Sequence, residues 1–166
     1  MLQQLLRGGN LMNGRWLVPS MCVLVLAGCQ KKVETPAPAP APYKIELSTK
    51  DLMKHAIDPA ADIVWAASGY VVDEKGTTDL SPTTPAGWAI VENNAAIVAE
   101  LSNTLMLPGR SPGEPQWNAF ANRLHDTAMA AMRAAENRDK AGLLHTGSDI
   151  FLACTACHKR YVLGEK

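Results

Sequence analysis

The sequence predicts an all-α fold, a four-helix bundle, and three observations predict it. Apolar residues recur at spacings of three and four along four stretches of about twenty residues. Clusters of Pro and Gly separate those stretches. The composition is rich in Ala and only 5% aromatic, which suits packed helices better than sheets.

The first stretch, residues 48–68, carries Leu52, Met53, Ala56, Ile57, Ala60, Ile63, Val64 and Ala67 on one stripe. Asp58-Pro59 falls inside it and reads as an N-cap followed by a first-turn proline, so a kink or restart is expected there. A polar loop, VDEKGTTDLSPTTP, follows; Tyr70-Val71-Val72 is the one strand candidate and is too short to count as one. The second stretch, 85–106, opens on Thr84-Pro85 and is striped by Trp88, Val91, Ala95, Val98 and Leu105. LPGRSPGEP ends it. The third, 115–136, has a face of small residues, Ala121, Ala128, Ala131 and Ala135, with Trp117 and Leu124, which a helix or a flat cofactor can approach closely. Asn137 or Asp139 caps the fourth, 140–163, which stops at Gly164.

Residues 1–28 read as a signal peptide rather than as part of the fold. Arg15 precedes the apolar run Met21–Leu26, which is too short to span a bilayer. Leu26-Ala27-Gly28-Cys29 resembles the lipobox of bacterial lipoproteins, which implies acylation of Cys29; ordinary secretory cleavage near Gly28 is the alternative. Met12 makes the more usual start for such a signal. Residues 29–45 then form a Pro/Ala-rich tether, with ETPAPAPAPY at its centre. At roughly 3.1 Å per residue, residues 30–43 reach about 40 Å from a membrane. Gln30 after the cysteine resembles lipoproteins sent to the outer membrane, so the periplasmic side of that membrane is the favoured address. Residues 46–166 remain as the folded domain. Charge is balanced, 16 basic against 16 acidic residues, and gives no case for a nucleic-acid partner.

The most specific signal is Cys154-Thr155-Ala156-Cys157-His158, a C-x-x-C-H. That pattern is the attachment signature of a c-type haem: two thioethers to the porphyrin and one imidazole on the iron. On a helix the three side chains share one face, with Leu143, Gly147, Ile150 and Tyr161 along it. These residues are expected to line the porphyrin, Gly147 by giving clearance. A structural zinc site needs four ligands, and no second cysteine pair accompanies this one. A thioredoxin-type dithiol needs a βαβ setting, which the pattern lacks. The cysteine count closes as well: Cys22 leaves with the signal, Cys29 takes lipid, and Cys154 and Cys157 take one haem c. Export sends the chain to the compartment where such attachment occurs.

A haem motif at the end of the last helix of a bundle resembles the class II cytochromes c, the cytochrome c′ family. The resemblance covers residues 46–166 as an architecture, and rests on Cys154, Cys157, His158, Tyr161 and Leu52-Met53-Lys54. Where family members carry an arginine four residues after the histidine, this chain has Val162, with Lys159 and Arg160 earlier. Only eight residues follow His158, so a sixth iron ligand has to come from upstream. Low-spin family members offer a methionine early on the first helix, which implies Met53 as that ligand; a core methionine filling a gap is the alternative. His55, two positions away, points to the other side and is the lesser candidate. His145 faces away from the motif, and His125, Met129 and Met132 read as core or surface.

Leu52 and Ala56 are expected against the haem beside Met53, and Leu52 or Ile57 meets the iron if Met53 does not. Filled axial positions imply one-electron transfer to redox protein partners; a vacant one implies binding of NO or CO. Peroxidase chemistry needs a polar distal acid–base group, for which His55 is the one nearby candidate, so the chain reads as a carrier rather than an enzyme. A homodimer is compatible with the resemblance.

Overall fold

The computed structural model describes residues 43–164. The signal segment, Cys29 and the tether as far as residue 42 lie outside the described residues. The described chain is mostly helical, with one small two-stranded sheet. No helix among the described residues is long and apolar enough to cross a membrane.

Helix α1 (Thr49–Leu52) starts at Ser48, whose hydroxyl accepts from the Asp51 amide at 3.1 Å. A π-helical segment (Met53–Ile57) continues it into α2 (Asp58–Ala66). The expected break at Asp58-Pro59 is therefore a widening, not a restart. Asp58 has helical dihedrals, φ −62° and ψ −50°, and its N–H reaches back to the Met53 carbonyl. Pro59 has no N–H to give and crowds the carbonyl one turn earlier, and the wide turn just before it accommodates both defects.

The second departure lies in the loop, where Tyr70–Asp73 (β1) and Gly76–Asp79 (β2) pair antiparallel as a hairpin, Tyr70 opposite Asp79. Every residue of both strands is exposed, so the alternation that reveals a half-buried strand never arises. The turn is carried by Asp73, which accepts from the Lys75 amide at 2.9 Å, and by Gly76 at φ 121°. Lys140 Nζ donates to Asp79 Oδ2 at 2.6 Å and ties the hairpin to the start of the last helix.

The three long helices follow the expected boundaries closely. In α3 (Pro85–Leu105), Thr84 Oγ1 accepts from Gly87, and Trp88, Val91, Ala95, Val98 and Leu105 are buried. Helix α4 (Pro115–Glu136) buries Ala121, Leu124, Ala128, Ala131 and Ala135, and packs extensively on α3 and on the last helix. Asn137 closes α4, Arg138 turns the chain at φ 53°, and Asp139 caps α5 (Lys140–Tyr161) by accepting from Gly142 at 2.9 Å. Helix α2 contacts α3 and α5 and is fastened to α5 by Trp65, whose Nε1–H donates to the Gly147 carbonyl at 3.0 Å. Val64, Val91, Val98, Leu143 and Ile150 form the driest part of the shared core.

Candidate functional site

Two turns of α5 hold the site. Cys154, Cys157 and His158 project from one face of the helix, as spacings of three and four require. All three line a small apolar cavity of about 30 Å³, together with Met53, Leu105 from α3, and Phe120, Ala121 and Leu124 from α4. That space holds no more than a water or two, and its walls are apolar.

Two larger hollows open on either side. One, about 430 Å³, lies between α2 and α5, lined by Met53, Lys54, Trp65, Phe151, Cys154 and His158. The other, about 580 Å³, is lined by Lys50, Met53, Trp117, Cys157, His158 and Tyr161. Met53 and His158 line all three spaces. The volumes of the outer two suit a sizeable organic group.

Aromatic packing fixes the far edge. Tyr161 meets Trp117 edge-on at 4.9 Å and Phe120 at 6.2 Å. Its hydroxyl donates to Glu114 Oε2 at 2.9 Å, and Trp117 Nε1–H donates to the Leu105 carbonyl at 2.7 Å. The end of α3, the start of α4 and the end of α5 are thereby pinned to one another. Desolvation, then the hydrogen bond to Glu114, raises the Tyr161 hydroxyl pKa.

Both cysteines are free thiols, partly buried. Burial pushes the Cys154 thiol up to about 11, with further contributions from Cys157 and the Asp58 carboxylate. Burial raises Cys157 as well. Reactive thiols of redox catalysts and cysteine nucleophiles are shifted the other way, by cations or helix N-termini. This pair sits at the C-terminal end of its helix, and burial outweighs whatever lowers it. Two thiols and an imidazole over apolar walls are the donor set that a covalently attached haem would need, and Met53 lines the same cavity.

The remaining expected site residues divide. Tyr161 borders the larger hollow. Leu52, Ala56 and Ile150 border none of these spaces: Leu52 and Ile150 are buried core, at 6% and 0% exposure, and Ala56 packs against that core. Gly147 clears the end of α2 and the residues after it rather than the cysteine cavities, since a Cβ built there falls 2.9 Å from Ser68 Oγ and 3.8 Å from the Trp65 ring. It borders a separate groove with Ser68, Leu144 and Leu152. His55 is exposed and lines none of the described cavities. His145 lies 3.5 Å from Asp149 on the outer surface.

Sequence reasoning missed Phe120, Leu105, Trp65 and Phe151 as cavity walls. Periodicity offered a signal for both phenylalanines: Phe120 is three after Trp117 and four before Leu124, and Phe151 is four after Gly147 and seven before His158. A comparison of the chain with protein-family models, curated proteins and solved structures finds no match.

Proposed function

We propose that this chain is a monohaem c-type cytochrome that transfers single electrons, held to the periplasmic side of a bacterial membrane by a lipid on Cys29. The carrying observation is that Cys154, Cys157, His158 and Met53 converge on one apolar cavity flanked by two larger hollows. The helical architecture supports a four-helix bundle of the class II type, with the attachment motif near the end of its last helix. A haem bound there supplies the one-electron iron couple.

The chain's own residues do the rest. Cys154 and Cys157 would fix the macrocycle to α5, and His158 would ligate and orient it. Met53 would offer a thioether to the same group, which would raise its reduction potential and close it to outside ligands. Leu105, Phe120 and Leu124 keep water from the interior edge. The Pro/Ala tether holds the domain near partner proteins, which raises their effective concentration.

One observation favours a second function, a five-coordinate protein that binds NO or CO. The 30 Å³ apolar cavity beside Met53 and His158 has the scale of a diatomic molecule, and beyond the motif its one N–H, that of Trp117, is taken by the Leu105 carbonyl.

One set of measurements separates the two. The full-length chain is produced with haem-attachment machinery, its mass is determined, and ferric absorption and electron paramagnetic resonance spectra are recorded beside Met53→Ala. A mass increase of one haem with a low-spin spectrum and a methionine–iron charge-transfer band, lost in the variant, is expected. A high-spin spectrum indifferent to Met53 selects the gas-binding function instead. No mass increase rejects both.

A further inference from the structure

Two cations stand where an apolar groove meets solvent. Lys50 and Lys54 occupy positions three before and one after Met53, so they flank it on the same helical segment. Lys50 lines both outer hollows, and Lys54 lines the one that also holds Trp65, Phe151 and Cys154. Neither ammonium takes part in an ion pair within 4.0 Å among the described residues. Three carboxylates are near in sequence, and Glu46, four before Lys50, forms no bridge to it. Asp51 is engaged with the Ser48 hydroxyl at 2.6 Å. Asp58, four residues after Lys54, lines the same hollow yet forms no bridge to it. The charged lining of that hollow is therefore two lysines against one aspartate.

A space with aromatic and thiol walls and unpaired ammonium groups at its mouth suits a flat apolar molecule bearing acids at one edge. An apolar ligand leaves the lysines unused, and a compact inorganic anion leaves Trp65 and Phe151 unused. The porphyrin of a c-type haem combines both features: thioethers along one edge, two propionate carboxylates along the other. The cysteines belong to α5 and the lysines to the Thr49–Ile57 stretch, so each edge has its own helical segment.

We infer that Lys50 and Lys54, at the mouth of the groove beside Met53, hold the propionate carboxylates of a haem attached at Cys154 and Cys157. The inference rests on the proposed haem attachment. Asp58 at the same mouth opposes the carboxylates, and the second lysine outweighs it. Charge-assisted hydrogen bonds from the two ammonium groups fix the outer edge of the macrocycle and set a positive field next to the iron. That field favours the reduced, electron-richer state.

The test uses the matured full-length protein, wild type beside Lys50→Ala/Lys54→Ala, Lys50→Arg/Lys54→Arg, and Lys75→Ala in the exposed hairpin turn. Mass gives haem attachment, potentiometry gives the midpoint potential, and thermal melting gives the stability of the haem-loaded protein. Expected is a more negative midpoint and a lower melting temperature in the double alanine variant, both restored in the double arginine variant and unmoved in Lys75→Ala. A double alanine variant that carries haem with unchanged midpoint and melting overturns the inference. So does one whose only change is a weaker salt dependence of electron exchange with an acidic protein, which gives the lysines to partner docking. A wild-type chain that gains no haem brings down the proposed function first, and this inference with it; the mass alone identifies that case.

Discussion

The two halves of α5 are made of the same helix and do opposite things. From Leu143 to Ala153 its inner face is saturated: Leu143 and Ile150 are 0% exposed, and Gly147 lets α2 come close enough for Trp65 to bond its carbonyl. From Cys154 to Tyr161 the same face borders hollows, and its two cysteines are only partly covered. Close packing is the normal condition of a protein interior. A helix whose inner face is buried for three turns and then borders open space beside a C-x-x-C-H divides into a packed half and a half with room for a ligand. The division can be tested by substitutions that fall on one side of it.

The largest expected effect falls on the second half. Cys154→Ala/Cys157→Ala abolishes covalent attachment outright, so the matured chain keeps the mass of its polypeptide. Because both thiols line the cavity and Cys154 touches only the edge of the core, the substitution should leave the packed half and its helical circular dichroism in place. Collapse of the helical signal in the variant would mean that the two halves are not separable. On the packed half, Ile150→Ala deletes a side chain with no exposed surface and should cost about 2–5 kcal/mol in denaturant unfolding. Haem attachment, read by mass under conditions where the variant is folded, should persist. Ile150 was expected against the porphyrin, so loss of haem in a folded Ile150→Ala protein would restore it to the site.

The same division marks what was legible in the sequence. The long helices were readable almost to the residue, because Thr84-Pro85, Pro115 and Asp139 are strong start signals and their stripes are long. The motif residues were readable because their chemistry is local: three and four residues along a helix fix Cys154, Cys157 and His158 without tertiary knowledge. The walls of the site were not. Ile150 and Tyr161 share a helical face in the sequence, yet one meets the core and the other a hollow, and only the ends of α3 and α4 decide which. Gly147 showed the same limit, since a small residue announces a close approach and not what approaches. The π segment and the hairpin escaped for different reasons. A wide turn leaves no residue signature beyond Pro59, and strands exposed on both faces have no alternation to detect.

A smaller effect is expected at the hinge between the halves and the rest of the molecule. Trp117→Phe keeps an aromatic ring opposite Tyr161 but removes the N–H that satisfies the Leu105 carbonyl at the end of α3. Leaving that part-buried carbonyl without its partner should cost about 1–2 kcal/mol in urea unfolding. Because Trp117 also lines the cavity with Cys157 and His158, the haem-loaded protein should lose more than the haem-free chain. Equal losses in the two forms would remove Trp117 from the site and leave it a purely structural contact.

The smallest effect belongs to the packed end, where the hairpin reaches the first turn of α5. The hydrogen bond from Lys140, then bonds from Ser81, hold the Asp79 carboxyl down at about 2, against an ordinary 3.8. A carboxyl held lower in the folded chain than in the unfolded one stabilises the fold above its ordinary pKa. That contribution falls as acid titrates the folded form toward pH 2. The Lys140 amine is raised by the same bond, so its share persists through neutral pH and fades only above the ordinary lysine range. Asp79→Asn should therefore melt slightly below wild type at pH 5–7, with the gap closing as the pH approaches 2. Added salt should narrow it at every pH, since both side chains are solvated. The haem spectrum should not change at all, because the bond lies at the start of α5 and Cys154, Cys157 and His158 lie in its last two turns. A spectral change in Asp79→Asn would show that the hairpin and the site communicate along α5, and the separation of its two halves would fail from the end where it is expected to be strongest.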